Sequence, residues 1–194
     1  MIDDLYFDAF PEIESQRLIF RKFALEDSEE IYAIRSNDAV MKYMDADFHN
    51  NIQDAKTFIE NGMETYRKKE GLFWVIMDKK TQAFVGDFSF WRIDRKNVRA
   101  EIGYTMKPRF WGQGYMTETL TTLIDFGFTK LGIHSFVANI NPENNNSRKL
   151  LLKIGFQKEG YFRENYCYHG TFLDSETYGL LISDFRQKSH QVFL

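Results

Sequence analysis

The 194-residue chain has 43% hydrophobic and 27% charged residues, enough for one domain with a full core. A formal net charge of −3 excludes any global pull toward nucleic acid or an anionic membrane, so an anion site has to be built locally. The single cysteine, Cys167, excludes an internal disulfide, and no run of residues is long and apolar enough to span a bilayer. The opening residues MIDDLYFDAF are acidic and lack an apolar run, so neither a secretion signal nor a basic transit peptide is expected. The expected location is cytoplasmic.

Residues 17–23 (RLIFRKF) set Leu18 and Phe20 against Ile19, Arg21 and Phe23, the two-residue period of a strand. Leu25 to Arg35 reads as a short helix with Glu26 and Asp27 in its first turn, where the helix dipole favours acids. Asn51 to Lys69 carries Ile52, Ala55, Phe58, Ile59, Met63 and Tyr66 at helical spacing. Residues 71–77 read as a buried strand, 78–81 as a turn, and 83–93 as the second arm of a hairpin. Residues 98–106 (VRAEIGYTM) make a third strand. From Gly114 on, Met116, Leu120, Leu123, Ile124, Gly127, Phe128 and Leu131 form one apolar helix stripe. Residues 134–140 are a strand, and 144–155 a helix with Gly155 as its C-terminal cap. Two last strands, 156–168 and 171–182, join around His169-Gly170.

The order is β-α-α-β-β-β-α-β-α-β-β. Hairpins come first. A β-α-β crossover through the 112–131 helix follows, a connection that joins parallel neighbours with a right-handed turn. The expected fold class is α/β (α+β), a single mixed, mostly antiparallel sheet with helices on both faces. No linker or repeat divides the chain, so a single domain is expected, its core at about 15–182.

The stretch PRFWGQGYMTETL (108–120) leads from a strand into the crossover helix. A lone G-x-G is equally a plain turn. Here Gly112 and Gly114 keep the backbone free of Cβ atoms, Arg109 adds a permanent cation, and a helix N-terminus offers unpaired N–H groups to an anion. The string is not a Walker A loop, and Thr117 stands where the dinucleotide fingerprint needs a third glycine.

Arg109-Phe110-Trp111-Gly112-Gln113-Gly114 instead resembles the acetyl-coenzyme A diphosphate loop of the GNAT acyltransferase superfamily. RLIFRKFALEDSEEIY (17–32) is similar to the opening strand and helix of its ribosomal-protein N-terminal acetyltransferase-like branch. AEIGYTMKPRFWGQGYMTETL (100–120) resembles that branch's central strand, loop and helix. Asn144, Ser147, Lys153, Gly155, Phe156, Glu159 and Gly160 match its N-x-x-S…K-x-G-F-x-x-E-G segment, and GTFLDSETYGLL (170–181) its closing strand. Several segments in the family's order cover most of residues 15–182.

The resemblance implies an N-acetyltransferase that moves the acetyl group of acetyl-CoA to a primary amine by direct attack in a ternary complex. The acceptor would be a protein N-terminus or a small-molecule amine. It implies that Arg109, Trp111, Gly112, Gln113, Gly114, Tyr115 and Met116 hold the diphosphate. The strand end Tyr104-Thr105-Met106 would pair with the pantetheine arm, and Asn144 would bond its amides. Glu101 is the first candidate for general base, acting through water; a surface ion pair with Arg99 or Arg92 is its other reading. Glu164 is the second candidate, although Tyr166 competes for that place. Ser147 matches the family's hydroxyl near the sulfur and is equally a helix cap. An α-amine, with a pKa of about 8, needs less help than a lysine at about 10.4.

Cys167 has no basic neighbour, and His49, His134, His169 and His190 lack ligand spacing, so no thiol catalysis and no metal site are expected. Phe73, Trp74, Phe84, Phe88, Phe90, Trp91 and Tyr104 crowd one set of strands, as core, as an acceptor pocket or as a homodimer contact. The expected partners are acetyl-CoA and an amine. The competing hypothesis is a non-catalytic acetyl-CoA-binding sensor module.

Overall fold

The computed structural model describes residues 2–191, and the side chains of residues 2–187. Short elements open the chain: α1 (Leu5–Asp8), β1 (Ile13–Glu14) and β2 (Leu18–Lys22). Three helices follow, α2 (Ser28–Arg35), α3 (Asp38–Met41) and α4 (Ile52–Arg67). Next come β3 (Leu72–Asp78), β4 (Phe84–Asp94) and β5 (Arg99–Met106), then α5 (Tyr115–Phe126). The chain closes with β6 (Ser135–Ile140), α6 (Asn145–Ile154), β7 (Gln157–Tyr168), β8 (Thr171–Leu181) and α7 (Ile182–Gln191).

The eight strands form one sheet in the order β1-β2-β3-β4-β5-β6-β8-β7. Among the described residues β5 and β6 are the one parallel pair, joined by the α5 crossover, and every other pair is antiparallel. The sequence expectation of a mixed, mostly antiparallel sheet holds. One face carries the larger core, where Phe20, Trp74, Phe88, Phe90, Ile102, Phe136 and Tyr178 pack with Leu120, Leu123 and Ile124 of α5 and Leu151 of α6. The other face packs Val75 and Phe84 against Ile31 and Ile34 of α2 and Ala55 and Ile59 of α4. Burying one such side chain stabilises the fold by about 1.5–3 kcal/mol.

The pairing of β5 with β6 is short. Arg99, Ala100 and Glu101 lie opposite Ser135, Phe136 and Val137, and no pair follows. Beyond that point β5 runs on to Met106 beside β4, and β6 runs on to Ile140 beside β8. The two strands therefore part, leaving a fork in the middle of the sheet at Glu101.

Four elements lie outside the sequence expectation. α1 and α3 are single turns of four residues, too short to show a period, and β1 has two residues. The expected last strand stops at Leu181, whose N–H donates to the Asp184 carboxylate as α7 begins. The helix expected from Leu25 begins with a 3-10 turn at Leu25–Asp27. The crossover helix is α-helical to Phe126 and widens into a π turn over Gly127–Leu131.

Candidate active site

The loop between β5 and α5 is shaped by two glycines in left-handed conformation, Gly112 at φ 72° and Gly114 at φ 79°. A Cβ at Gly112 would meet nothing within 4 Å, so the loop backbone faces open space there. The first hydrogen bond of α5 runs from Glu118 N–H to the Gly114 carbonyl. Among the described residues the N–H groups of 112–117 have no hydrogen-bond acceptor. Such a row of donors at the positive end of a helix is suited to an anion.

Several contacts hold this loop in place. Trp111 Nε1 donates to the Met106 carbonyl at 2.8 Å, tying the loop to the end of β5. Gln113 Nε2 folds back to the Arg109 carbonyl at 2.7 Å. The Tyr115 phenol donates to Asp78 at 2.7 Å. Hydrogen bonds from the Thr81 N–H, the Tyr115 phenol and the Thr81 hydroxyl together hold the Asp78 carboxyl down at about 2.

Arg17 of the N-terminal strand region touches this loop, a contact that sequence reasoning missed. Its guanidinium bonds the Gln113 carbonyl at 3.0 Å, pairs with Glu118 at 2.6 Å and lies 4.3 Å from the centre of the Tyr115 ring. Glu118 also accepts from the Ser15 hydroxyl and the Arg17 N–H, each at 2.7 Å. Arg17 thus places a second cation beside the loop, together with Arg109. It stands 96 residues before its loop partner, and no local pattern announces it.

At the fork, alternation along β5 sends neighbouring side chains to opposite faces. Tyr104 and Met106 turn toward α5 and α6. The Tyr104 hydroxyl lies 2.6 Å from the Ser147 hydroxyl. Burial pushes the Tyr104 phenol up to about 12, and the bond to Ser147 works the other way. Asn144 caps α6 by accepting from Ser147 N–H at 3.0 Å, so the cap is Asn144 and not Ser147. That leaves the Ser147 hydroxyl, on a residue 8% exposed, to Tyr104. Thr105 turns the other way and bonds the buried Asp87 carboxylate. Burial pushes Asp87 up, against the pull of Arg35 4.0 Å away.

Glu101 shares the face of Thr105. Its side chain is 12% exposed, and the ion pair with Arg92 that the sequence offered as its other reading is present. Asn139 Nδ2 donates to one oxygen at 2.9 Å, and Arg92 lies 3.6 Å from the other. Glu164 stands elsewhere, on an exposed bulge of β7 at φ 46°, its N–H donating to Asp174 at 2.7 Å. Among the described residues it makes no hydrogen bond or ion pair with Glu101, Tyr104 or Ser147. Tyr166 is tied to Asp45 at 2.6 Å, and burial together with that bond pushes its phenol up. An open hollow of about 640 Å³ on this bulge is lined by Tyr161, Phe162, Arg163, Glu164, Asn165 and Asp174, none of which belongs to the fork.

Among the described residues no three His, Cys, Asp or Glu side chains converge as metal ligands, and the side chain of His190 lies outside them. Cys167 is exposed. Of the crowded aromatics, Trp74, Phe84, Phe88 and Phe90 are core. No helix of the described residues is long and apolar enough to cross a membrane.

Comparison with known proteins agrees with this geometry. Residues 17–157 match the family model described as an acetyltransferase (GNAT) domain. The chain is 35% identical over 172 residues to the N-acetyltransferase YoaA of Bacillus subtilis, covering 89% of this chain and 97% of that one. It is 29% identical over 112 residues to the [ribosomal protein uS5]-alanine N-acetyltransferase of Escherichia coli, 57% of this chain and 58% of that one. Among solved structures, the microcin C7 self-immunity acetyltransferase MccE, crystallised with acetyl-CoA and AMP, superposes with a TM-score of 0.78 at 29% identity. That match covers 87% of this chain and 94% of MccE. With its single mixed sheet, its forked centre and its bare loop amides, the chain belongs to the acetyltransferase (GNAT) family and is an acetyl-CoA-dependent N-acetyltransferase.

Proposed function

We propose that the enzyme acetylates the α-amine of a peptide or protein N-terminus, with Glu101 as general base and the Tyr104–Ser147 pair as proton donor to the leaving sulfur. The observation that carries it is the placement of Glu101 and Tyr104 on opposite faces of one strand at the fork. A thioester entering from the α5/α6 side meets an amine entering from the other side.

In this scheme the amides of 112–117, with Arg109 and Arg17, hold the diphosphate. The free edge of Tyr104-Thr105-Met106 pairs with the pantetheine arm, and a backbone N–H there polarises the thioester carbonyl. One such donor contributes on the order of 3 kcal/mol. Asn144, which caps α6, stands beside the arm. The amine loses its proton through water to Glu101 and its nitrogen attacks the acetyl carbon. The new N–C bond forms, the C–S bond breaks, the nitrogen releases its second proton to water, and the thiolate takes a proton through Ser147. A phenol pushed up to about 12 is protonated at neutral pH, so the pair enters the step with its protons in place, and water restores the proton that leaves through Ser147.

Two features favour an α-amine over a polyamine. An α-amine needs only a modest base. The relative named for the alanine of ribosomal protein uS5 points the same way. A cytoplasmic setting, where acetyl-CoA is made and used, completes the proposal. The core aromatics lend no support to a homodimer; the exposed aromatics are Phe48, Trp111, Tyr161, Phe162 and Phe172.

The test is thiol release from acetyl-CoA with an alanine-initiated peptide and with spermidine. Turnover of the peptide, with the acetyl group located on its α-nitrogen by mass spectrometry, is the expected result. Preference for spermidine would overturn the acceptor assignment. Tight acetyl-CoA binding without turnover of any amine would favour a sensor.

A further inference from the structure

The side chains behind Glu101 form a chain of hydrogen bonds that crosses three strands. The Thr177 hydroxyl of β8 donates to Asn139 Oδ1 of β6 at 2.6 Å. Asn139 Nδ2 in turn donates to Glu101 Oε1 of β5 at 2.9 Å. Asn139 and Thr177 are directly opposite in the β6–β8 pairing. Backbone pairing between β5 and β6 ends at Glu101 and Val137, so the Asn139–Glu101 bond bridges the strands where they have begun to part.

The direction of this chain is fixed by chemistry. A carboxylate only accepts, and an amide has one accepting and one donating end. If the Asn139 amide turned over, its oxygen would face a carboxylate oxygen. Thr177 prevents that by donating to Oδ1, which commits the NH₂ to Glu101. The second oxygen of Glu101 faces Arg92, a mostly exposed side chain lying over Trp91 at 4.0 Å. Without Asn139 that cation is the remaining strong attraction, and it draws the carboxylate toward β4. The other charges on this face are Arg99, two residues along β5, which pairs with Glu159 of β7 at 3.8 Å, and, farther along β5 at Thr105, the buried Asp87 of β4 with Arg35 of α2 at 4.0 Å. From β6 and β8 only the uncharged Asn139 and Thr177 bear on Glu101.

We propose that Asn139 is a positioning residue that aims the Glu101 carboxylate into the fork, with Thr177 setting the orientation of the Asn139 amide. Its catalytic consequence rests on Glu101 being the base, as proposed above. Both residues are at least partly exposed, and neither belongs to the main core.

The experiment has two arms. The first follows the Glu101 carboxylate by ¹³C NMR against pH in glutamate-labelled enzyme, the signal being assigned with Glu101→Gln. In Asn139→Ala the midpoint should rise, because a donor that favours the charged form is gone. Asn139→Asp, which adds a like charge, should raise it further. Thr177→Val should raise it by a smaller amount, and Thr177→Ser should restore it. The second arm measures the pH profile of kcat/KM with acetyl-CoA and the alanine-initiated peptide. There Asn139→Ala should lower the plateau roughly tenfold and move the acid limb upward with the NMR midpoint. A wild-type midpoint in Asn139→Ala would overturn the proposal, and a wild-type midpoint in Thr177→Val would remove Thr177 from it. Full turnover by Glu101→Gln, with the NMR coupling intact, would instead overturn the base assignment and leave Asn139 without a catalytic role.

Discussion

The hydroxyls of Tyr104 and Ser147 meet at 2.6 Å, linking the free end of β5 to the first turn of α6. The contact exists because Asn144 performs the capping that a serine near a helix start often performs. In the proposed scheme the pair serves the leaving sulfur. Ser147→Ala should therefore lower kcat by about tenfold or more while leaving coenzyme A affinity within about twofold. Tyr104→Phe should give a smaller loss, since Ser147 keeps its own proton. Steady-state kinetics beside calorimetric titration with coenzyme A reads both quantities. A loss of affinity equal to the loss of rate would assign the pair to binding.

Gly112 offers a way to separate strain from crowding. A side chain there meets no protein atom within 4 Å, but φ is 72°. For an L-residue that conformation costs about 1–2 kcal/mol. Gly112→Val should weaken acetyl-CoA binding by at least about tenfold, because in the proposed site the branched side chain stands where the phosphates approach the amides. Gly112→Asn tolerates the left-handed region, so it should regain most of the stability and little of the affinity. Thermal unfolding and coenzyme A titration of the two variants check this. Wild-type affinity in Gly112→Val would take the loop out of the diphosphate site.

Arg17 joins the N-terminal strand region to the loop. Removing it leaves the Gln113 carbonyl without that donor and Glu118 without its cation, one turn from the proposed anion site. Arg17→Ala should weaken coenzyme A binding by about tenfold, the scale of one charge-assisted hydrogen bond. The salt dependence of binding should also flatten, since one positive charge has left the site. Dephospho-coenzyme A, which keeps the diphosphate, should show the same loss. Binding titrations at two ionic strengths with both ligands measure it.

Much of the fold was legible because its signals are local. The Met116–Leu131 stripe, the hairpin turns and Gly155, which caps α6 at φ 114°, each lie within a few residues of what they determine. The loop was legible for the same reason, since its glycines and its helix start are contiguous. The side-chain contacts of the site were not. Ser15 and Glu118 are 103 residues apart, Tyr104 and Ser147 43, and Glu101 and Asn139 38. The sheet order brings these pairs together, and no short window contains them. Trp74, Phe88 and Phe90 could be read as core, pocket or dimer contact because their strands are covered on both faces, which erases simple alternation.

Glu176 gives the fold a pH dependence of its own. It lies on β8 facing α6, with a side chain only 5% exposed. Burial by itself would raise its carboxyl. Hydrogen bonds from Arg148 at 2.9 Å, Lys158 at 2.6 Å and Tyr178 at 2.8 Å outweigh that and hold it at about 2. A carboxyl lowered on folding from its ordinary 4.5 stabilises the native state above that pH. The contribution, up to about 3 kcal/mol, is lost as pH falls from about 4.5 toward 2. Glu176→Gln should therefore lower the unfolding free energy at pH 7, where it leaves Arg148 and Lys158 without their carboxylate. Its deficit against wild type should shrink steadily below pH 4.5. Denaturant unfolding of both proteins from pH 7 to pH 3 provides the comparison. A deficit that stays constant over that range would show that the loss comes from packing and not from the ionised carboxylate.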